Sequence, residues 1–336
     1  MIRKQALFGL FAISLVLFSV ACQEKNTEEQ AVQNAAVIAE ETVGADMMPA
    51  WAVNANIYEV NIRQYTPEGT FNAFAEHLDR LNNMGVKMLW LMPIYPISTT
   101  KKKGSLGSYY AVSDYTAVNP EFGTAEDFKN LIDKIHALDM KVILDWVPNH
   151  TGWDHVWIEE HPEYFTHVAD TITHPFMNGE PTDWYDVAEL DFDNMDMREE
   201  MTQALEYWIT EYDVDGYRCD VAFEVPDDYW DSAVSRMRAI KPVFMLAEAE
   251  HPPHRNSGNF HMSYPWSFMH LTNEMGKGAE DVNAIDKYLL ENAEKFDKGF
   301  QMMTMGIAMF KEWDGEETGY QDEDRLQVLE LPNWAK

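Results

Sequence analysis

Arg218 and Asp220 stand two residues apart in the stretch from Val214 to Pro226, V-D-G-Y-R-C-D-V-A-F-E-V-P. Apolar residues enter and leave this stretch, so its middle reads as a short buried strand. Side chains alternate across a strand, and positions two apart share a face. A guanidinium and a carboxylate are therefore aimed into one space, where each must be hydrogen-bonded. In isolation the pair is as readily structural as functional. Two further acids repeat the pattern: Asp145 near the end of the apolar run Met140–Val147, and Glu248 directly after Pro242–Ala247 (P-V-F-M-L-A). Three carboxylates, an arginine, His150 and aromatic neighbours suit acid–base work with a carboxylate nucleophile, the equipment for breaking a glycosidic bond. Arg218 would keep Asp220 ionised. The apolar residues before Glu248 would raise its pKa and let it hold a proton.

These groups need elements to position them. Asn56–Tyr65 (N-I-Y-E-V-N-I-R-Q-Y) alternates like a first strand. Thr70 opens a helix with Phe71, Phe74, Leu78 and Leu81 at helical spacing. Val86–Ile94 is nearly continuous in apolar residues, the mark of a strand covered on both faces. Thr124 caps a helix whose face carries Phe128, Leu131, Ile132, Ile135 and Leu138. Arg198–Tyr212 and Asp227–Ile240 are helical. Strand and helix alternate, which leaves a doubly wound open sheet or a closed (β/α) barrel. No G-x-G-x-x-G or P-loop stands at a first strand–helix turn. Acids at the C-terminal ends of separate strands share a single rim in a barrel. The expected fold is therefore α/β, a (β/α)8 TIM-type barrel.

Composition bounds the partners. The 336 residues are 46% hydrophobic, enough for a large core, and the net charge of −32 argues against nucleic acid or an anionic lipid surface. A neutral ligand is compatible with that charge. Eleven Trp and fifteen Tyr offer flat faces for sugar rings, although large cores use the same residues. With only Cys22 and Cys219, a disulfide framework is not expected. Cys219 should face the packing side of its strand. Arg3 and Lys4 precede an uncharged run, Ala6 to Ala21, too short for a membrane span and suited to a secretory signal. Its end, S-V-A-C at 19–22, resembles a lipoprotein signal in which Cys22 is lipidated; simple cleavage is the other reading. Residues 1–22 are then a signal and 23–46 a flexible tether. Export to the periplasm, outer membrane or cell surface follows, with membrane contact through the lipid anchor alone.

The ordered motifs carry a resemblance to the α-amylase family, glycoside hydrolase family 13. D-W-V-P-N-H at 145–150 matches D-x-x-x-N-H, G-Y-R-C-D at 216–220 matches G-x-R-x-D, and A-E at 247–248 fits the third signature. Y-A-V-S-D-Y at 110–115 and V-N-P-E-F-G-T at 118–124 resemble the upstream loop. The resemblance runs from about residue 50 to 300 and implies a retaining enzyme acting on an α-glucan oligosaccharide or polysaccharide. It implies Asp220 as nucleophile and Glu248 as general acid/base, with Arg218 orienting Asp220. His150 would bond the sugar, Tyr110 would stack on it, and Asp145 would hold the site together. Asn149 matches a frequent structural-calcium ligand, but the accompanying Lys-His is Phe223-Glu224 here. The catalytic barrel would span 47–300, with 151–197 (Trp153, Trp157, Trp184, Tyr185) a short inserted subdomain. Asp191 and Asp193 read as an acidic surface loop.

The resemblance breaks after Glu248. The family's fourth signature, N-H-D, does not occur there, and Asp314, Asp322 and Asp324 lack its context. The expectation is a barrel incomplete at its C-terminal strands, with 301–336 a divergent tail, through truncation or a frame disruption. Turnover would be impaired by loss of the third catalytic carboxylate. The alternatives are a non-catalytic glucan-binding remnant and a trehalose- or isomaltose-type α-glucosyl transferase.

Overall fold

The structure, a computed structural model, describes residues 48–177 and 179–292, with the two-residue strands Thr42–Val43 and Phe300–Gln301. Cys22, the signal, the tether apart from Thr42–Val43, and the tail beyond Gln301 lie outside the described residues.

Seven strands form one sheet: β1 Ile57–Val60, β2 Met88–Leu91, β3 Lys141–Trp146, β4 Gly216–Cys219, β5 Phe244–Ala247, β6 Met262–Ser263 and β7 Phe300–Gln301. Their spatial order is their chain order, and every neighbouring pair is parallel. A doubly wound sheet reverses its order at a switch point; this one never does, which is barrel topology. The curl is visible in the side chains. Trp90 on β2 and Tyr264 just after β6 have ring centroids 6.5 Å apart, although four strand spacings in a flat sheet would separate them by about 19 Å. The sheet is a partly closed (β/α)8 barrel.

Register divides the strand residues between two cores. Met88, Trp90, Ile143, Phe244, Leu246 and Tyr264 pack inside the curl. Leu89, Leu91, Val142, Leu144, Tyr217, Cys219, Met245 and Ala247 face the helices in the larger cluster. Cys219 is thus a packing residue. Gly216 belongs to the inner row, opposite Phe244. A Cβ there would sit 1.9 Å from the Phe244 carbonyl oxygen, so only glycine lets β4 and β5 meet.

The helices follow local chemistry. Phe71–Ala75 (α1) is capped by Thr70, whose hydroxyl accepts from the Ala73 N–H, and Leu78–Asn83 (α2) follows. The single helix expected from Thr70 is thus two short ones, broken at Glu76–His77. Ala125–Ala137 (α3) starts with a reciprocal Thr124–Asp127 capping box and buries Phe128, Leu131, Ile132 and Ile135. Met195–Tyr212 (α4) and Asp227–Ile240 (α5) flank β4 in sequence. The first strand is shorter than its alternation suggests. Asn61 caps a helical turn, Ile62–Tyr65, by accepting from the Gln64 N–H, and the extended backbone ends at Val60.

Below the strands, Asp215 is fully buried and bonded by His136, Lys141, Lys241 and the Val142 N–H. Burial alone would raise its pKa, but His136 and the lysines hold it below the usual carboxylate range. This ion cluster pins the N-terminal ends of β3 and β4, opposite the rim that carries the acids.

Candidate active site

Parallel pairing sets Arg218 beside Asp145 on one side and Leu246 on the other. From there the guanidinium reaches all three acids expected at the strand ends. It donates to Asp145 Oδ1 at 2.9 Å and Asp220 Oδ1 at 2.7 Å, pairs with Glu248 Oε2 at 2.9 Å, and donates to the Tyr264 hydroxyl at 3.2 Å. Asp145 Oδ2 accepts from Trp90 Nε1 at 3.1 Å and from the Tyr110 hydroxyl at 3.2 Å. Asp145, Asp220, Glu248, Arg218 and Tyr110 therefore form one cluster at one rim.

The backbone locks the two outer acids. Asp220 N–H donates to the Trp146 carbonyl and Glu248 N–H to the Cys219 carbonyl, extending the ladder past the strand ends. Val221 then adopts φ 44°, a left-handed conformation disfavoured for a β-branched residue. In that conformation its N–H donates to Glu248 Oε2 at 3.0 Å. Asp220 and Glu248 are also within hydrogen-bond reach of each other. Inverting glycosidases leave a gap of roughly 6.5–9.5 Å for water, and this pair is too close for that.

One cation faces three acids, so the cluster is short of positive charge. Burial pushes Glu248 up to about 7, against the pull of Arg218, with Asp220 adding to the rise. Asp145 also rises to about 7 through burial, again opposed by Arg218. Asp220 is raised as well: burial outweighs the arginine that was expected to hold it low. Glu59, on β1, is raised by desolvation and lies in the field of Arg218 and Glu248. At neutral pH the cluster titrates as a unit with proton sharing among its acids.

His150 is buried, and burial lowers its pKa to about 4, against the pull of Asp186 and a hydrogen bond to the Tyr110 backbone. It is a neutral imidazole next to the acids, with the Trp184 ring at 5.9 Å. Asn149 turns its amide nitrogen to His150 Nδ1 at 3.3 Å. No step is assigned to calcium. Asp191 accepts from the Asp193 N–H in a surface turn.

His150–Gly152 pairs with Val187–Glu189, bracketing the intervening segment. Trp157 packs into the core against Tyr115, while Trp153 and Tyr185 line a concavity of about 480 Å³ with Lys101, Lys102 and His174. Trp90, Tyr264 and Glu59 were not singled out from sequence. Trp90 lay within an apolar run that gave no reason to treat its indole N–H as a donor.

A partly closed β/α barrel with buried acids sharing one arginine at its C-terminal rim is the class of fold and site that the comparisons share. Residues 25–187 match the family profile described as "Alpha amylase, catalytic domain". Alpha-amylase 3 of Dictyoglomus thermophilum is 34% identical over 226 residues, covering 59% of this chain and 44% of that protein. The α-1,4-glucan:maltose-1-phosphate maltosyltransferase of Arcanobacterium haemolyticum is 32% identical over 220 residues, covering 59% and 31%. A solved α-amylase from Lactobacillus plantarum superposes with a TM-score of 0.65 at 36% identity, covering 71% of this chain and 60% of that one. Over this region the chain is similar to the catalytic domain of α-amylase-family proteins. It spans less than half the length of the curated relatives it matches.

Proposed function

We propose that the site cleaves α-glucosidic bonds of neutral α-glucans by retaining double displacement. The observation that carries this reading is Arg218 bridging Asp220 and Glu248. Asp220 attacks the anomeric carbon while Glu248 gives its proton to the departing oxygen; Glu248 then takes a proton from the water that releases the sugar. A pKa near 7 suits Glu248 to both halves of that cycle. Asp145, tied to Trp90, Tyr110 and Arg218, positions the guanidinium. His150, neutral, and the Tyr110 ring would contact the sugar.

Within this polypeptide no N-H-D follows Glu248, so its turnover should fall well below that of a complete site. The reading is therefore tested with a substrate that needs no proton on its leaving group. Incubation with α-maltosyl fluoride should place a maltosyl adduct on Asp220, seen by intact mass and peptide mapping. Glu248→Gln should keep the adduct and Asp220→Asn should lose it. No adduct, or one elsewhere, would remove the nucleophile assignment. Glucosyl transfer is the second reading, favoured by the maltosyltransferase relative; re-linked products in place of free reducing sugar would establish it. Export with lipidation at Cys22 belongs to the same proposal, and Cys22→Ser should release the protein from membranes.

A further inference from the structure

In the segments that follow β4 and β5, Asp227, His251 and His254 bring ligand-type atoms within 4.8 Å of one another. Asp227 opens α5 just after the Asp220 loop, and the histidines lie in H-P-P-H just after Glu248. His254 Nε2 lies 3.2 Å from Asp227 Oδ1, and His251 Nε2 lies 3.4 Å from the same oxygen. The two imidazoles meet edge to face at 4.6 Å.

The second observation is His254 itself. It is 1% exposed, and neither ring nitrogen has a hydrogen-bond partner. Buried polar atoms are normally satisfied, and exceptions need a cause. Its Nε2 lies inside the cluster formed with Asp227 and His251, 3.2 Å from the carboxylate oxygen.

We infer a binding site for a divalent transition metal of the zinc class, held by His251 Nε2, His254 Nε2 and the Asp227 carboxylate. Two imidazoles and one carboxylate form a borderline donor set that suits zinc, whereas calcium and magnesium take oxygen ligands. Ligands about 2.1 Å from a tetrahedral metal stand about 3.4 Å apart, close to the Asp227–His spacings. Asp227 and His251 are half open to solvent, which leaves the fourth position for water. The metal would tie the loop after Glu248 to the helix after Asp220, fixing the two outer acids relative to each other.

Zinc titrated into the untagged, metal-stripped 336-residue chain, followed by calorimetry and thermal melting, tests the inference. One Zn²⁺ should bind per chain and raise Tm, with excess Mg²⁺ unable to displace it. His251→Gln and Asp227→Asn should each weaken binding at least tenfold while leaving the metal-free Tm and far-ultraviolet spectrum unchanged. His251 and Asp227 are exposed enough for both variants to fold. Absence of saturable binding at about 100 μM Zn²⁺, or His251→Gln binding like the parent, would overturn the site.

Discussion

Arg218 meets three carboxylates and a phenol through one planar group, and lysine, a single point charge, could not span them. What it does not do is neutralise them. Glu248 and Asp145 stay near 7 in the folded chain, while their unfolded values are about 4.3 and 3.9. Between those limits the native state holds more protons than the unfolded chain, so stability falls as pH rises. The benefit is complete below about pH 4 and gone above about pH 7 to 8. Thermal melts from pH 5 to 8 should therefore show Tm decreasing, and Glu248→Gln should flatten the slope by about 1–3 kcal/mol across the window. Equal slopes in the two proteins would mean that Glu248 is ionised throughout. At this scale the sequence was informative where spacing was local. Arg218 and Asp220 are two apart on one strand, and alternation alone put them on one face. Tyr264 and Trp90 reach the same guanidinium and carboxylate from β2 and beyond β6, and only strand curvature brings them there.

Between β4 and β5, the contact is set by one missing side chain. Gly216 faces inward, and its would-be Cβ collides with backbone of Phe244, which cannot swing aside as a side chain could. Gly216→Ala should force the strands apart and pull Arg218 from Glu248, which follows β5, costing about 3 kcal/mol or more, at the upper end of overpacking effects. Urea unfolding measures it; a loss below about 0.5 kcal/mol would show that the two strands separate freely. The glycine was legible as a letter of the G-x-R-x-D motif, but its reason, a close strand approach, was not. Strand starts and helix periodicities were legible because apolar spacing records them. The end of β1 was not, since Asn61 redirects the chain by a side-chain hydrogen bond that alternation cannot show.

For the whole molecule, charge decides among ligands that the rim geometry would equally admit. A maltosyltransferase relative is named for maltose 1-phosphate, and a phosphate would have to approach a chain of net charge −32. The lysine run 101–103 is the natural counter-charge, yet each member is engaged. Lys101 Nζ sits 3.2 Å above the Trp153 ring, and Lys102 donates to the Ser105 carbonyl. Lys103 donates to the Asp183 carbonyl and pairs with Asp186 at 3.2 Å. A phosphate would have to break these contacts and would gain a field already opposed by surrounding acids. Neutral maltooligosaccharide binding should be insensitive to salt between about 20 and 300 mM, because no counter-ions move. Maltose 1-phosphate should bind at least threefold more weakly than maltose at the low-salt end and recover as salt screens the repulsion. Calorimetry at both salt concentrations measures this, and tighter binding of the phosphate at low salt would make an anionic donor, not a neutral glucan, the ligand this surface selects.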